Sequence, residues 1–229
     1  MNARKSLLLF ALAIGACAKA ENTPPADSAA PAPAATNADP DVSASGGAVP
    51  AGFTARTDKA DAPISGAAYT ASGDKWDVKT GSAHIVYSDK TMGNGSYTAS
   101  ATIDQLEAPA HPEAYGIFIG GRDLDKPTLA YTYFIVRGTG EMAVKVREGD
   151  KTRDVIKWTA SPDVPKADAS GKASYALDAQ VTNDAVKFSV NGKSVGSVSK
   201  AGLPTDGIAG LRINHNLHVS VTPVTVKTP

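Results

Sequence analysis

Apolar residues recur at every second position in many segments of the chain after residue 51, and this alternation most restricts the fold. The run 141–147, with the sequence EMAVKVR, shows the pattern clearly. A period of two places alternate side chains on opposite faces of a strand, whereas an amphipathic helix needs a period near 3.6. No convincing helical stripe of apolar residues appears in this region. We therefore predict an all-β domain built from many short strands.

The predicted strands are rich in β-forming residues, and Gly, Pro, Asn and Asp separate them. Three hairpin turns are predicted, at 137–141, at 148–151 and at Asn191-Gly192, which is the strongest short hairpin signal. Such a density of short strands favours a sandwich or a barrel. The predicted strands cover 96–103, 114–121, 129–137, 141–147, 154–159, 174–181, 185–190, 194–199, 208–214 and 217–226.

Several of these segments resemble a known superfamily. KFSVNGKSVGSV and GIAGLRINHNLHVSV resemble the end of a laminin-G-like domain and, more broadly, of the concanavalin A-like lectin/glucanase superfamily. YGIFIGGRDL and YTYFIVRGTGEMAVKVREG resemble central strands of those jelly rolls, and are similar to bacterial domains described as 3-keto-disaccharide hydrolase-like. The resemblance covers most of 70–226 and implies a two-sheet antiparallel sandwich. It concerns core strands and turns, and a fold does not by itself imply an activity.

The start of the chain has the pattern of an export signal. Arg4 and Lys5 precede a short apolar run, which falls below the roughly 20 residues that span a bilayer. The sequence IGAC, ending at Cys17, resembles the lipobox of bacterial lipoproteins, which are cut before the cysteine that then carries lipid. We predict a signal peptide over 1–16 and lipidation at Cys17. The alternative is an ordinary secreted protein, although the chain has no second cysteine for a disulfide.

A linker is predicted between the lipid anchor and the domain. Residues 18–50 contain no aromatic side chain and are dominated by Pro, Ala, Ser, Asp and Thr. Such a segment cannot bury enough apolar surface to offset its ordering entropy. We expect 17–51 to be the lipidated cysteine and a disordered tether, and 52–229 to be one β-sandwich domain. Localisation is then expected at the cell envelope, and Ala18 after the cysteine resembles lipoproteins of the outer membrane in bacteria with two membranes.

One face of the sheet is the candidate ligand site, because alternation sorts side chains by face. Aromatic rings and arginine forks suit sugar rings and carboxylates. The alternative is a solvated polar face, as in most antiparallel sheets. Both Trp76 and Trp158 are expected to pack in the core instead. The predicted ligand-binding residues on the outward face are Tyr131, Tyr133, Arg137, Lys145, Arg147, Arg212 and Asn214.

Metal sites receive little support from the sequence. Asp123 and Asp125, in a predicted loop, are candidate calcium ligands, although they also suit turn hydrogen bonds. His215 and His218 would face opposite sides of a strand unless the chain turns at 214–216. We therefore expect no transition-metal site and no cofactor other than calcium. Lys and Arg balance Asp and Glu at 23 each, so no nucleic-acid partner is expected.

The sequence offers no complete catalytic constellation. Glycosidases need two carboxylates that face one bond. Glucanases of the resembled superfamily usually carry them as Glu-x-Asp-x-x-Glu, whereas the nearest segment here, 148–153, ends in Arg153 and lies in a predicted turn. We predict non-enzymatic binding of a glycan or other envelope ligand. Two alternatives stay open: a hydrolase acting on a (keto-)disaccharide, as the resemblance implies, and a structural or assembly lipoprotein without a small ligand.

Overall fold

Fifteen strands and one short 3-10 helix (Ile64–Gly66) make up the described part of a computed structural model, residues 40–59 and 63–229. The predicted signal peptide, the lipidation at Cys17 and linker residues 18–39 lie outside it. No helix in the described ranges is long and apolar enough to cross a membrane. The strands are β1 (Thr54–Thr57), β2 (Ala68–Ser72), β3 (Lys75–Lys79), β4 (His84–Gly93), β5 (Tyr97–Gln105), β6 (Ala114–Arg122), β7 (Ala130–Arg137), β8 (Glu141–Glu148), β9 (Lys151–Ala160), β10 (Ala173–Val181), β11 (Ala185–Val190), β12 (Lys193–Ser199), β13 (Gly207–Ile213), β14 (His218–Val221) and β15 (Thr225–Lys227).

The strands form two antiparallel sheets whose inner faces pack on one another. The seven-stranded sheet has the order β1-β4-β13-β6-β7-β8-β9. The eight-stranded sheet has the order β12-β11-β10-β5-β14-β3-β2, and β15 pairs with β5. β13 lies between β4 and β6, which precede it by many strands in the sequence. Strands that are neighbours in the sheet are therefore joined by long stretches of chain. The predicted all-β sandwich is confirmed.

Alternation along the strands builds the core between the sheets. In β10 the side chains of Tyr175, Leu177, Ala179 and Val181 point inward and are almost fully buried, while the residues between them face outward. Trp76 also packs in this core, as predicted. Burying such side chains stabilises the fold by roughly 1.5–3 kcal/mol for each large aliphatic residue.

The predicted turns are present. Asn191 and Gly192 both have positive φ, at 50° and 77°, as a two-residue type I′ hairpin requires. The hairpins between β7 and β8 and between β8 and β9 are formed as well. One predicted strand divides: the run 217–226 becomes β14 and β15, separated by a segment that contains Pro223. Proline lacks the N–H that a ladder needs, which accounts for the break.

Residues 40–51, which composition assigned to the disordered linker, lie against the sandwich. The Val42 amide donates to Asn216 Oδ1 at 2.8 Å, and the Ala44 amide donates to the Gly66 carbonyl at 2.9 Å. The Tyr69 amide donates to the Gly47 carbonyl at 2.9 Å. These contacts are hydrogen bonds made by the backbone of residues 42–47. A composition argument based on apolar side chains therefore cannot predict them. Residues 40–51 therefore pack against the sandwich, although they precede the predicted boundary at 52.

His84 of β4 is buried and hydrogen-bonded at both ring nitrogens. Nδ1 lies 2.8 Å from the Ser82 carbonyl oxygen, and Nε2 is paired with the Tyr69 hydroxyl. A carbonyl oxygen only accepts, so we assign the proton to Nδ1, and Nε2 accepts from Tyr69. Burial lowers the pKa of His84 from 6.5 to about 4.

We expect the free energy of unfolding to fall by up to about 3 kcal/mol as the pH decreases from 6.5 to 4. In this window His84 of the unfolded chain takes up a proton that the folded chain does not bind, and each pKa unit of difference corresponds to about 1.4 kcal/mol. Urea denaturation across the window measures the slope. His84→Gln should lose this part of the pH dependence, and an identical slope in the parent and the variant would contradict the assignment.

Candidate functional site

The predicted ligand face corresponds to the outer face of the seven-stranded sheet. Tyr131 is paired with Arg147 and Tyr133 with Lys145 across β7 and β8, and directly opposed residues share a face. Arg212 of β13 lies on this face, because its inward neighbours Leu211 and Ile213 belong to the core. The alternation therefore predicted the orientation of these side chains correctly.

Four aromatic rings form the centre of this face. Phe118 lies 5.1 Å from Tyr131 and 6.4 Å from Tyr87, measured between ring centroids, and Tyr131 lies 5.5 Å from Tyr133. Gly210 makes room for them, since a Cβ at that position would lie 2.5 Å from the Phe118 ring. Tyr131 is 1% exposed and Tyr133 is 8% exposed. The centre of the face is therefore a second apolar cluster rather than a solvated polar surface.

Leucines cover part of this aromatic cluster. Leu124 and Leu129, from the connection between β6 and β7, are buried in the same cluster. The carbonyl of Leu124 accepts from Arg56 Nη1 at 3.1 Å, which fixes the connection to β1. Among the predicted site residues, Tyr131 is consequently placed to support its neighbours rather than to touch a ligand.

Beside the aromatic rings, two arginines converge on one carboxylate. Arg212 holds Asp58 with both ends of its fork, Nη1 to Oδ1 and Nη2 to Oδ2, each at 2.5 Å. Arg147 Nη1 donates to the same Oδ1, its Nη2 donates to the Asp58 carbonyl at 3.0 Å, and its Nε donates to the Gly149 carbonyl at 3.0 Å. We call Arg147, Arg212 and Asp58 the two-arginine cluster. Bidentate arginine–carboxylate pairs of this kind are strong and directional.

The charges of the cluster reinforce one another. Burial raises the pKa of Asp58, but the hydrogen bonds and positive charges of Arg212 and Arg147 outweigh this and hold the pKa below its usual range. Burial lowers the pKa of Arg212, whereas the hydrogen bond from its guanidinium to Asp58 raises it, and the net shift is upward. The guanidinium carbon of Arg212 also lies 5.9 Å from the Tyr133 ring centroid, within cation–π range. Asp58 and Arg212 therefore stay ionised at neutral pH.

Trp158 lies on the outer face, contrary to the prediction that it shares a face with Ile156 in the core. Val144 pairs with Ile156 and Met142 pairs with Thr159, so β9 carries one residue more than β8 in this interval. Such a β-bulge reverses the alternation. Ile156 packs in the main core, whereas Trp158 packs against the outer cluster and is only half-buried. The Arg137 guanidinium lies 4.3 Å from the centroid of the Trp158 ring.

The remaining predicted residues fall into different surroundings. Lys145 pairs with Asp154 at 2.9 Å at the margin of the two-arginine cluster's face. Arg137 also pairs with Glu141 at 2.8 Å. Asn214 lies in another group, where its Nδ2 donates to Glu113 Oε2 at 3.0 Å. The structure thus brings Tyr133, Arg147 and Arg212 together but places Asn214 apart from them. The prediction did not include Asp58.

Asp123 and His215, two of the residues considered as metal ligands, are engaged in other contacts. Asp123 has positive φ (49°), and its carboxylate pairs with Lys126 at 3.0 Å. The chain does turn at 214–216, where His215 lies between Asp41, at 3.1 Å, and Glu113, at 2.9 Å. Within 40–59 and 63–229, no group of three or more His, Cys, Asp or Glu side chains is arranged to hold a metal ion.

Two clefts elsewhere are less suited to sugar binding. One, of about 380 Å³, lies on the outer face of the eight-stranded sheet, where Ser100 donates to Asp178 at 2.6 Å. The other, of about 300 Å³, is formed by Gln105, Glu113 and a run of Ala and Pro residues. Neither is lined by an aromatic ring or an arginine from the described chain. The outer face of the seven-stranded sheet carries aromatic rings and arginines together.

The comparisons with known proteins agree with the sandwich fold. No protein-family model matches the chain, and no match is found among curated proteins. Among solved structures, the carbohydrate-binding module CBM66 from Bacillus subtilis has a TM-score of 0.58 at 13% identity, covering 77% of this chain and 96% of that one. A Bacillus subtilis protein of unknown function with a galectin-like fold gives 0.53 at 13%, covering 76% and 88%. A family 16 glycoside hydrolase, an endo-glucanase from Bacteroides ovatus, gives 0.52 at 9%, covering 76% and 94%. The chain therefore has a jelly-roll fold that carbohydrate-binding modules and glycoside hydrolases share.

Proposed function

We propose that this protein is a non-catalytic glycan-binding module, held at the cell envelope by a lipid on Cys17. The observation that carries the proposal is that the half-buried ring of Trp158 and the two arginines lie on one sheet face. The jelly-roll likeness to a carbohydrate-binding module supports it at the level of the fold. Rings stack on sugars and guanidinium groups donate to sugar hydroxyls, so these groups together suit a saccharide.

The proposed binding surface extends from Trp158 to Arg147. Thr159 pairs with Met142 and Ile156 pairs with Val144, so the residues between them, which include Trp158, lie beside Ala143 of β8. Ala143 and Arg147 are four residues apart, or about 13 Å at ~3.3 Å per strand residue. A surface of this length suits a short oligosaccharide, with one sugar stacked on Trp158 and another bonded to Arg147. Lys145 lies between them and presents a further donor.

A hydrolase is less well supported by the chemistry of this face. The carboxylate within the cluster is Asp58, and its pKa is lowered by both arginines. A general acid needs a raised pKa, so Asp58 is unsuited to protonate a leaving group. Within residues 40–59 and 63–229, Asp58 is the only carboxylate paired with either arginine, so these residues offer no two-carboxylate arrangement of a glycosidase at the two-arginine cluster.

A glycan array probed with the detergent-solubilised full chain tests the proposal. Trp158→Ala and Arg147→Ala are each expected to weaken binding of an identified glycan at least tenfold, because tryptophan and arginine are the residue types that dominate binding hot spots. Lys187→Ala is the control, since Lys187 lies exposed on the outer face of the other sheet. The proposal fails if no glycan binds, or if both variants keep a native circular dichroism spectrum and the affinity of the parent.

A further inference from the structure

We infer that the two-arginine cluster is a receptor for the carboxylate of a uronic acid sugar, and that the protein's own Asp58 occupies this receptor when no ligand is bound. The inference rests on the proposed function and narrows it to acidic glycans. It also gives Asp58 a role as an internal competitor.

The first support comes from the elements that carry the three residues. Arg147 lies on β8 and Arg212 on β13, both within the hydrogen-bonded seven-stranded sheet. Asp58 follows the last residue of β1, a strand of four residues at the edge of that sheet. The sheet therefore fixes the two donors, whereas the carboxylate belongs to a connection at the sheet margin. Donors built on rigid strands are suited to bind an anion in one geometry.

The second support is the direction from which the carboxylate reaches the arginines. The side chains of Arg212 and Arg147 are 9% and 12% exposed, whereas the side chain of Asp58 is 34% exposed. The carboxylate thus lies on the solvent side of the guanidinium groups. A ligand carboxylate arriving from solvent would meet the same donors in the same place. It would also lie beside Tyr133, whose ring centroid is 5.9 Å from the Arg212 guanidinium carbon.

The third support is an imbalance of charge. Two guanidinium groups face one carboxylate, and no other described carboxylate is ion-paired with either arginine, which leaves a net charge of +1. The Nε of Arg212 is buried and has no hydrogen-bond partner in the described ranges. Buried positive charge without full compensation is costly, so the site needs another anion whenever Asp58 leaves it.

Asp58→Asn provides the test, because it keeps the size of the side chain and removes its charge. The probes are oligogalacturonate and the same oligosaccharide with its carboxylates reduced to alcohols. We expect the full chain in detergent to bind oligogalacturonate at least tenfold more tightly with Asp58→Asn than with the parent, and the reduced sugar equally well with both.

Arg147→Lys serves as the matched variant, since it keeps the charge but loses the planar fork. It should weaken the binding of oligogalacturonate by a larger factor than the binding of the reduced sugar. If Asp58→Asn lowers stability, a larger rise in melting temperature on adding oligogalacturonate than in the parent reports the same gain. If parent and Asp58→Asn bind oligogalacturonate with the same affinity, this inference is overturned and the proposed function is not. The absence of any glycan binding, to parent and variant alike, overturns the proposed function as well.

Discussion

Gly116→Ala is expected to reduce the free energy of unfolding by about 3 kcal/mol, at the upper end of the usual cost of overpacking. Gly116 lies in β6, between β13 and β7, at the centre of the seven-stranded sheet. A Cβ on this residue would stand 2.0 Å from the Phe134 carbonyl oxygen and 2.8 Å from the Ile135 Cα. Both are backbone atoms of a paired strand, so neither can move aside without disturbing the ladder.

The measurement is urea denaturation of the parent and the variant, and Gly66→Ala is the matched control. A Cβ on Gly66 would meet Ser43 at 3.4 Å, an ordinary contact, so this variant should unfold close to the parent. A Gly116→Ala protein within about 0.5 kcal/mol of the parent, the range typical of neutral surface changes, would show that the strands separate more easily than the structure indicates.

Cys17→Ser is expected to move the protein from the membrane to the soluble exported fraction almost completely. The expectation follows from the lipobox-like IGAC sequence, because serine has no thiol to carry the lipid. Buried acyl chains contribute about 0.8 kcal/mol per CH₂ group, so the loss of the lipid removes the main source of membrane affinity.

Fractionation with immunoblotting measures this shift, and intact mass gives the mature N-terminus. Ala18→Ser is the control, since it places the same side chain one residue later and keeps Cys17. It should remain with the membrane. A Cys17→Ser protein that stays membrane-bound, or a parent whose mature N-terminus is not a lipidated Cys17, contradicts the lipoprotein prediction.

Strand positions could be predicted wherever apolar residues alternate without interruption. The run 174–181 matches β10 to within one residue, because its inward side chains are all apolar and its outward ones are small or polar. β1, β2 and β4 were missed. The sequences of β1 and β2, TART and AYTAS, contain few large apolar residues, so they carry little periodic signal. In β4, HIVYSDKTMG, the apolar residues Ile85, Val86 and Tyr87 follow one another instead of alternating with polar ones.

Parts of the candidate site could be predicted for the same reason. Tyr131 and Tyr133 are two positions apart in one unbroken strand, so the alternation of side chains places them on the same face. The alternation of faces fails at Trp158, because a β-bulge adds a residue to β9. The hydrophobic pattern does not show where this bulge lies. Asp58 could not be predicted either, since it meets arginines 89 and 154 positions further along the chain. Contacts of that range depend on the complete sheet topology.

The bulged strand β9 has a consequence for how copies of the protein coexist at high concentration. β9 is the last strand of the seven-stranded sheet, so one side of it has no partner strand within the described sheet. Its sequence, KTRDVIKWTA, places Lys151, Arg153, Asp154 and Lys157 along this edge. Irregular, charged edges resist pairing with the strands of a second molecule. The irregularity that turns Trp158 outward thus also protects neighbouring copies from joining edge to edge into aggregates.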